Sequence, residues 1–249
     1  MTDAHRRRPS TAALEAAATG AAGGALGGLA WSVVGLGWAG AAVGAANGAI
    51  GGWRATYAWR RPIGVLAFVL DSTWAFPLTA AALVTHGVAG LQPGRGGALP
   101  GLGRRANRHV YARGVRLRRG FLMTIGNTVH GAGDAATMSA RRRRIVTDHE
   151  DVHIWQGRWF GPLYPLLYGG WLLAGGAAGA LLWATRRRGV PFAKVVETCA
   201  YYLNPFEWWA YSRDDHWPPS GKLAELGWKR PIVQPFSAAR AAATPPDQP

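Results

Sequence analysis

The stretch TDHEDVHIWQ, residues 147 to 156, contains residues spaced for hydrolytic chemistry: His149-Glu150-Asp151-Val152-His153 spells HExxH. Two histidines four apart lie one helical turn from each other on one face, so both imidazoles reach one tetrahedral ion. The glutamate after the first histidine falls near the open coordination position, where it can take a proton from a water that the metal has activated. With seven His and five Glu among 249 residues, only about 0.004 HExxH matches are expected by chance. The competing reading is a polar helix face that merely meets solvent, and a third protein ligand decides between the two. Three residues downstream are candidates: Glu207, Glu197 and His216.

The elements that must position these residues follow from the flanking pattern. Helical character starts near Ile145, carries the HExxH to about Trp159, and stops at Gly161-Pro162. The segment PLYPLLYGGWLLAGGAAGALLWA at 162 to 184 reads as an apolar helix and TRRRG as a turn. VPFAKVVETCAYYL at 190 to 203 is helical again, with Pro191 in its first turn. Asn204 caps and Pro205 opens a further helix, NPFEWWAY, which carries Glu207 in its first turn. For Glu207 to meet the two histidines the intervening helices must form an antiparallel hairpin. The chain therefore crosses a bilayer either twice or not at all between 153 and 207.

HExxH, then a helical hairpin, then an ExxA helix resembles the integral-membrane zinc peptidases of the CAAX-prenyl-protease and heat-shock type, whose later motif is ExxAD. Here Glu207-Trp208-Trp209-Ala210-Tyr211 has Tyr211 where the family has Asp. The chain is also similar to bacterial membrane proteins with HExxHxxQ, GPLY and NPFExxAY, matched by His149, Glu150, His153, Gln156, Gly161 to Tyr164 and Asn204 to Tyr211. The resemblance covers residues 108 to 213, fewer than half of the chain. It implies a Zn²⁺ cofactor held by His149, His153 and Glu207, with Glu150 as general base. The Asp-to-Tyr departure leaves the orientation of a ligand histidine to another group, for which Asp148, Asp151 and Asn204 are candidates. Tyr211 and His216 are candidates for stabilising the oxyanion of a tetrahedral intermediate, a role that commonly falls to Tyr or His.

Composition narrows the setting. The formal charge is +15, yet nearly half of the residues are hydrophobic. Arginines cluster at Arg6 to Arg8, Arg60-Arg61, Arg118-Arg119, Arg141 to Arg144 and Arg186 to Arg188, each beside an apolar or structured segment. That distribution suits anionic lipid headgroups, each cation contributing about 1 kcal/mol near the surface. Nucleic acid is not an expected partner, because no binding module accompanies the charge. A single Cys199 excludes an intrachain disulfide and a CxxC metal site.

The N-terminal stretch, residues 1 to 19, reads as a retained basic tail; the Gly/Ala run after it is too long for a signal-peptide core. Residues 20 to 52 carry two glycine ladders, Gly20-Gly24-Gly28 and Gly40-Gly44-Gly48-Gly52, separated by LAWSVVGLGW. Glycine at every fourth position leaves a flat groove for another helix, as in a glycine zipper; a Gly/Ala linker would not interleave Trp31, Trp38 and Ile50. The apolar stretch 62 to 90 is long enough to span, and its Asp71 reads as a buried helix-packing contact and His86 as an interfacial residue. Residues 91 to 107 read as a loop, 108 to 129 as a β-hairpin turning near Arg113-Gly114 or two short strands, and 130 to 144 as a loop.

The expected fold is mainly α and membrane-associated. It combines apolar Gly/Ala-rich helices (20 to 90) with a minimal zincin-like unit (108 to 213) and an extended C-terminal tail (214 to 249), disordered after about 237. The expected function is a membrane-associated zinc peptidase, or a peptidase-like protein, acting on a peptide or protein substrate that the strands hold by an edge. Its site would face the cytoplasm. The alternative is a non-catalytic membrane organiser that oligomerises through its glycine ladders, or an anionic-lipid-binding protein.

Overall fold

A computed structural model describes residues 8–116, 120–215 and 217–236. The protein is mainly helical and divides into two compact units. The first comprises residues 1–146 and 154–162, the second 147–153 and 163–249. Residues 108 to 213 are therefore shared between the units.

The first unit begins with a hairpin of α1 (Pro9–Ser32) and α2 (Gly37–Trp53), so the chain is already helical from Pro9, within the stretch expected to be a tail. The Gly40-Gly44-Gly48 ladder faces Gly27, Gly23 and Thr19 across this hairpin, one residue off the Gly20-Gly24-Gly28 ladder, which instead lies against Ala41, Ala45 and Ala49. A methyl added to Gly23 would stand 2.3 Å from the Gly44 carbonyl oxygen, and one on Gly27 2.2 Å from that of Gly40. The helices thus meet backbone to backbone, and Thr19 donates its hydroxyl to the Gly48 carbonyl at 2.6 Å. The bulky segment between the ladders forms the tip, where Val33 is 85% and Trp38 77% exposed.

Helices α3 (Pro62–Ser72) and α4 (Phe76–Leu91) both start with proline in the first turn, where the missing N–H costs nothing. They meet at an angle of 88° across Thr73–Ala75, so the apolar stretch is broken rather than a straight span. Asp71 is buried as a packing contact: Arg158 donates Nε to Oδ1 and Nη2 to Oδ2, each at 2.8 Å. Tyr57 donates to the same carboxylate at 2.9 Å, Asn127 at 3.2 Å, and Asn47 donates to Tyr57 at 2.8 Å. His86 is not interfacial. It is buried, with its ring edge-on to His109 at 4.5 Å, because α4 packs on the strands.

After a 3₁₀ turn and the short α5 (Pro100–Gly103), three strands form a sheet of order β1-β3-β2. Strand β1 (His109–Val110) runs parallel to β3 (Thr128–His130), and β2 (Met123–Ile125) runs antiparallel to it with Thr124 opposite Val129. The hairpin turns at Gly126-Asn127, not near Arg113-Gly114. Gly126 has φ +54° and lies against the Leu78 carbonyl, where a side chain would collide at 2.4 Å. Of the expected alternation over 108 to 129, residues 117–119 lie outside the described residues. The core here joins Leu102, Val110, Val129, Val146 and Ile154.

The stretch expected to be a loop before the HExxH contains α6 (Ala140–Arg144), capped by the Ser139 hydroxyl on the Arg142 N–H at 3.1 Å. A π-helical turn, Ile145–His149, follows and leads into α7 (Glu150–Phe160), which ends at Gly161 with φ +52°.

The second unit holds α8 (Leu163–Arg186), α9 (Phe192–Glu197), a second π-helical turn (Thr198–Tyr202) and α10 (Pro205–Arg213). Helix α8 packs directly on the return segment. A methyl on Gly175 would meet the Cys199 carbonyl at 2.5 Å and one on Gly179 the Val196 Cα at 2.9 Å. Among the described residues α8 is the one unbroken helix long and apolar enough to cross a membrane, and its outer leucines are bare, Leu173 by 78%. The described residues after α10 have no regular structure and rest on this unit: Trp228 stacks on Trp208 at 4.3 Å and donates to the Leu203 carbonyl at 3.0 Å; the disorder expected after about 237 lies outside the described residues.

Candidate metal centre

Two π-helical turns precede the two helices that build the site. The first ends at His149 and the second lies just before the Asn204 cap of α10. Such turns are rare and concentrate at functional sites, because the widened ring re-aims the side chains that follow it. Asn204 accepts from the Phe206 N–H at 3.1 Å, which fixes the start of α10 and sets Glu207 in its first turn. Asn204 is therefore a cap.

The two helices converge on three buried side chains of the second unit, His149, His153 and Glu207, whose candidate ligand atoms all lie within 4.8 Å of one another. The Nε2 atoms of the histidines are 3.2 Å apart. His149 Nε2 lies 3.5 Å from Glu207 Oε2, and His153 Nε2 lies 3.3 Å from Oε1. Bonds of 2.0–2.1 Å around a tetrahedral ion put its ligands roughly 3.3–3.4 Å apart, so the donor set fits a divalent metal. Glu207 Oε2 is buried with only a long 3.5 Å contact to His149 Nε2 among the described residues, an incomplete shell that a cation would fill.

Electrostatics reinforce the fit. Burial alone would pull the His149 pKa down, but Asp214 and Glu207 outweigh it and push the value up to about 10. Burial also lowers His153, and the charge of Glu207 reverses this. For Glu207 burial raises the pKa, yet His153 and His149 together hold it well below the ordinary carboxylate range. The pocket thus concentrates carboxylate charge around two imidazoles, and a cation is the species it favours.

Each of the three side chains has a polar group behind it or on its carboxylate. Asp214 Oδ2 lies 3.4 Å from His149 Nδ1. Tyr164 OH sits 3.2 Å from His153 Nδ1, and Tyr168 OH donates to Glu207 Oε1 at 2.6 Å. These partners were not among the expected ones. Their signals are periodic: Tyr164 and Tyr168 are one turn apart on α8, and Asp214 follows Glu207 by seven residues, two turns along one face. Of the carboxylates near the site, Asp214 is the one that stands beside His149 Nδ1, a position not anticipated alongside Asp148, Asp151 and the amide Asn204.

Among the other sequence candidates, Glu150 is buried at the start of α7 and its charge acts on both histidines. Tyr211 packs its ring edge-on to His149 at 4.5 Å, and burial and the Glu207 charge keep its phenol protonated. Glu197 ends α9 and is outside the metal group. His216 lies outside the described residues.

The hairpin geometry that the site requires is present. Trp183 near the end of α8 packs on Phe192 at 5.3 Å, while Tyr168 near its start bonds Glu207. The return segment covers the α8 span between those two residues, roughly 22 Å at helical rise.

No protein-family model matches the chain, and neither a curated protein nor a solved structure matches it.

Proposed function

We propose that this chain is a membrane-associated zinc peptidase, or a peptidase-like hydrolase, whose metal is held by His149, His153 and Glu207. The observation that carries this reading is the triangle of donors with edges of 3.2, 3.3 and 3.5 Å beside a buried carboxylate that is not a ligand, Glu150. A structural metal has no use for Glu150, whereas hydrolysis requires a base at that place. Zn²⁺ held there supplies Lewis acidity, making water nucleophilic near neutral pH and drawing charge from a scissile carbonyl. Glu150 takes the proton from the attacking water and delivers it to the leaving amine. Asp214 keeps the Nε2 lone pair of His149 turned to the centre, and Tyr164 and Tyr168 do the same for His153 and Glu207. The phenol of Tyr211 is a neutral donor beside the site, suited to the developing oxyanion.

The bare leucines of α8 and the apolar tip of the α1–α2 hairpin support a membrane location. Helix α8, with 24 residues, rises about 36 Å, enough for the ~30 Å hydrocarbon core, and both a hairpin that crosses twice and an interfacial one return Glu207 to the level of His149 and His153. In the proposed reading the site faces the cytoplasm. The organiser alternative has less support, since the glycines of α1 and α2 are already packed within the α1–α2 hairpin.

The test is hydrolysis of an unfolded protein by the detergent-purified chain. Glu150→Gln keeps the metal while the rate falls by about a hundredfold or more. Equal rates in the parent and this variant would refute the catalytic reading.

A further inference from the structure

A second feature lies wholly in the first unit. The turn after α2, the α5 segment and β1 enclose a cavity of about 360 Å³, within the size range of small-molecule pockets. Its described lining includes Arg54, Arg104 and Arg108, the last with Nε on the Leu102 carbonyl at 3.2 Å, together with His109 and Thr56, and no carboxylate. Another cavity, beside Trp59, Arg60, Arg61 and Arg105, differs in that Glu15 pairs with Arg105 at 2.7 Å.

Ala55, Arg105 and Asn107, which adjoin the lining residues in sequence without lining the pocket themselves, have left-handed backbones, with φ of +53°, +53° and +56°. Here the Arg105 N–H donates to the Ala55 carbonyl at 2.7 Å and the Asn107 N–H to that of Thr56 at 2.9 Å, which ties the two walls together. Arg54 is aimed by Tyr111, whose hydroxyl accepts from Nη1 and whose ring lies 5.1 Å below the guanidinium. His109 is buried, and its Nε2 has no hydrogen-bond partner.

We infer that this cavity is a binding site for a phosphate group, engaged by Arg54, Arg104 and Arg108. Guanidinium forks match phosphate oxygens in pairs, and a lining with three arginines and no carboxylate favours an anion. Burial is the first cause that holds the His109 ring neutral, so this lining residue, whose Nε2 is unpartnered, brings no charge of its own. Trp53 at the rim and Leu99 and Pro100 in the wall add an apolar side, as a phosphate ester offers. Two sources share this chemistry: a phospholipid headgroup and a free phosphate.

The test uses the full chain in neutral detergent, with inorganic phosphate as one probe and short-chain phosphatidylglycerol, against phosphatidylcholine, as the other. Binding is read by titration at fixed ionic strength. The Arg54→Gln/Arg104→Gln pair should weaken binding at least tenfold. The Arg143→Gln/Arg144→Gln pair, which removes the same charge outside the cavity, should change it less than twofold. Arg54→Lys/Arg104→Lys should recover part of the loss, which a purely structural effect of the Gln pair would not. Loss confined to inorganic phosphate identifies the free anion, and loss of phosphatidylglycerol binding identifies the lipid. Equal weakening by the two Gln pairs, or no binding of either probe to the parent, overturns the proposal.

Discussion

Asp214 stands behind His149, with Oδ2 3.4 Å from Nδ1 on the side of the ring away from the Nε2 that faces Glu207. One helix and its cap therefore place a carboxylate beside each nitrogen of a single imidazole, and in the proposed reading Asp214 is the group that orients His149.

Asp214→Asn should leave the metal site assembled but weaker, by about 10- to 100-fold in affinity. Competition with a chromogenic chelator measures it. An unchanged affinity would show that Asp214 does not orient the ligand.

The Asp71–Arg158 pair is buried and doubly bonded. Asp71→Asn removes one charge and strands the other, so it should cost about 3–5 kcal/mol in unfolding free energy. Joint replacement by Asp71→Leu and Arg158→Met should recover most of that loss, as read from denaturant midpoints.

Gly44 opposes Gly23 so closely that a methyl there would lie 2.1 Å from the Gly23 carbonyl oxygen. Gly44→Ala must open the α1–α2 hairpin and should destabilise the protein by about 1–3 kcal/mol. At Gly169, where nothing stands within 4 Å, alanine should be neutral in the same thermal assay.

His130 is buried on β3, and burial lowers its pKa from 6.5 to about 4. In the unfolded chain it takes up a proton near pH 6.5, while the folded chain resists until about pH 4. Its contribution is therefore intact above pH 6.5 and declines as pH falls towards 4. His109 shifts in the same direction. Denaturant midpoints measured from pH 7.5 to 4 should fall, and His130→Gln should flatten the fall.

Much of the metal group was legible because helical period and composition act locally. HExxH places two imidazoles of the group that could hold a metal by a four-residue spacing, and Asn204-Pro205 marks the helix that delivers Glu207. The packing of Asp71 was legible from the cost of an ionisable group in an apolar run. What escaped depends on long-range pairing. The β-hairpin turned at Gly126-Asn127 because β3 also pairs with β1, some twenty residues earlier in sequence. His86 looked interfacial by sequence, but α4 buries it against β1 and its neighbours. The short α6, all alanine and arginine, has no apolar face to announce it, and its Ser139 cap was the only local signal.

The most direct measurement is metal content of the detergent-purified protein by mass spectrometry, for the parent, His153→Ala and Glu207→Gln. The expected result is about one zinc per chain in the parent, none retained by His153→Ala, and a site in Glu207→Gln that loses its metal to a chelator the parent withstands. Stoichiometric zinc persisting in His153→Ala, or a parent that binds no divalent metal when supplied with it, would contradict the assignment of His149, His153 and Glu207.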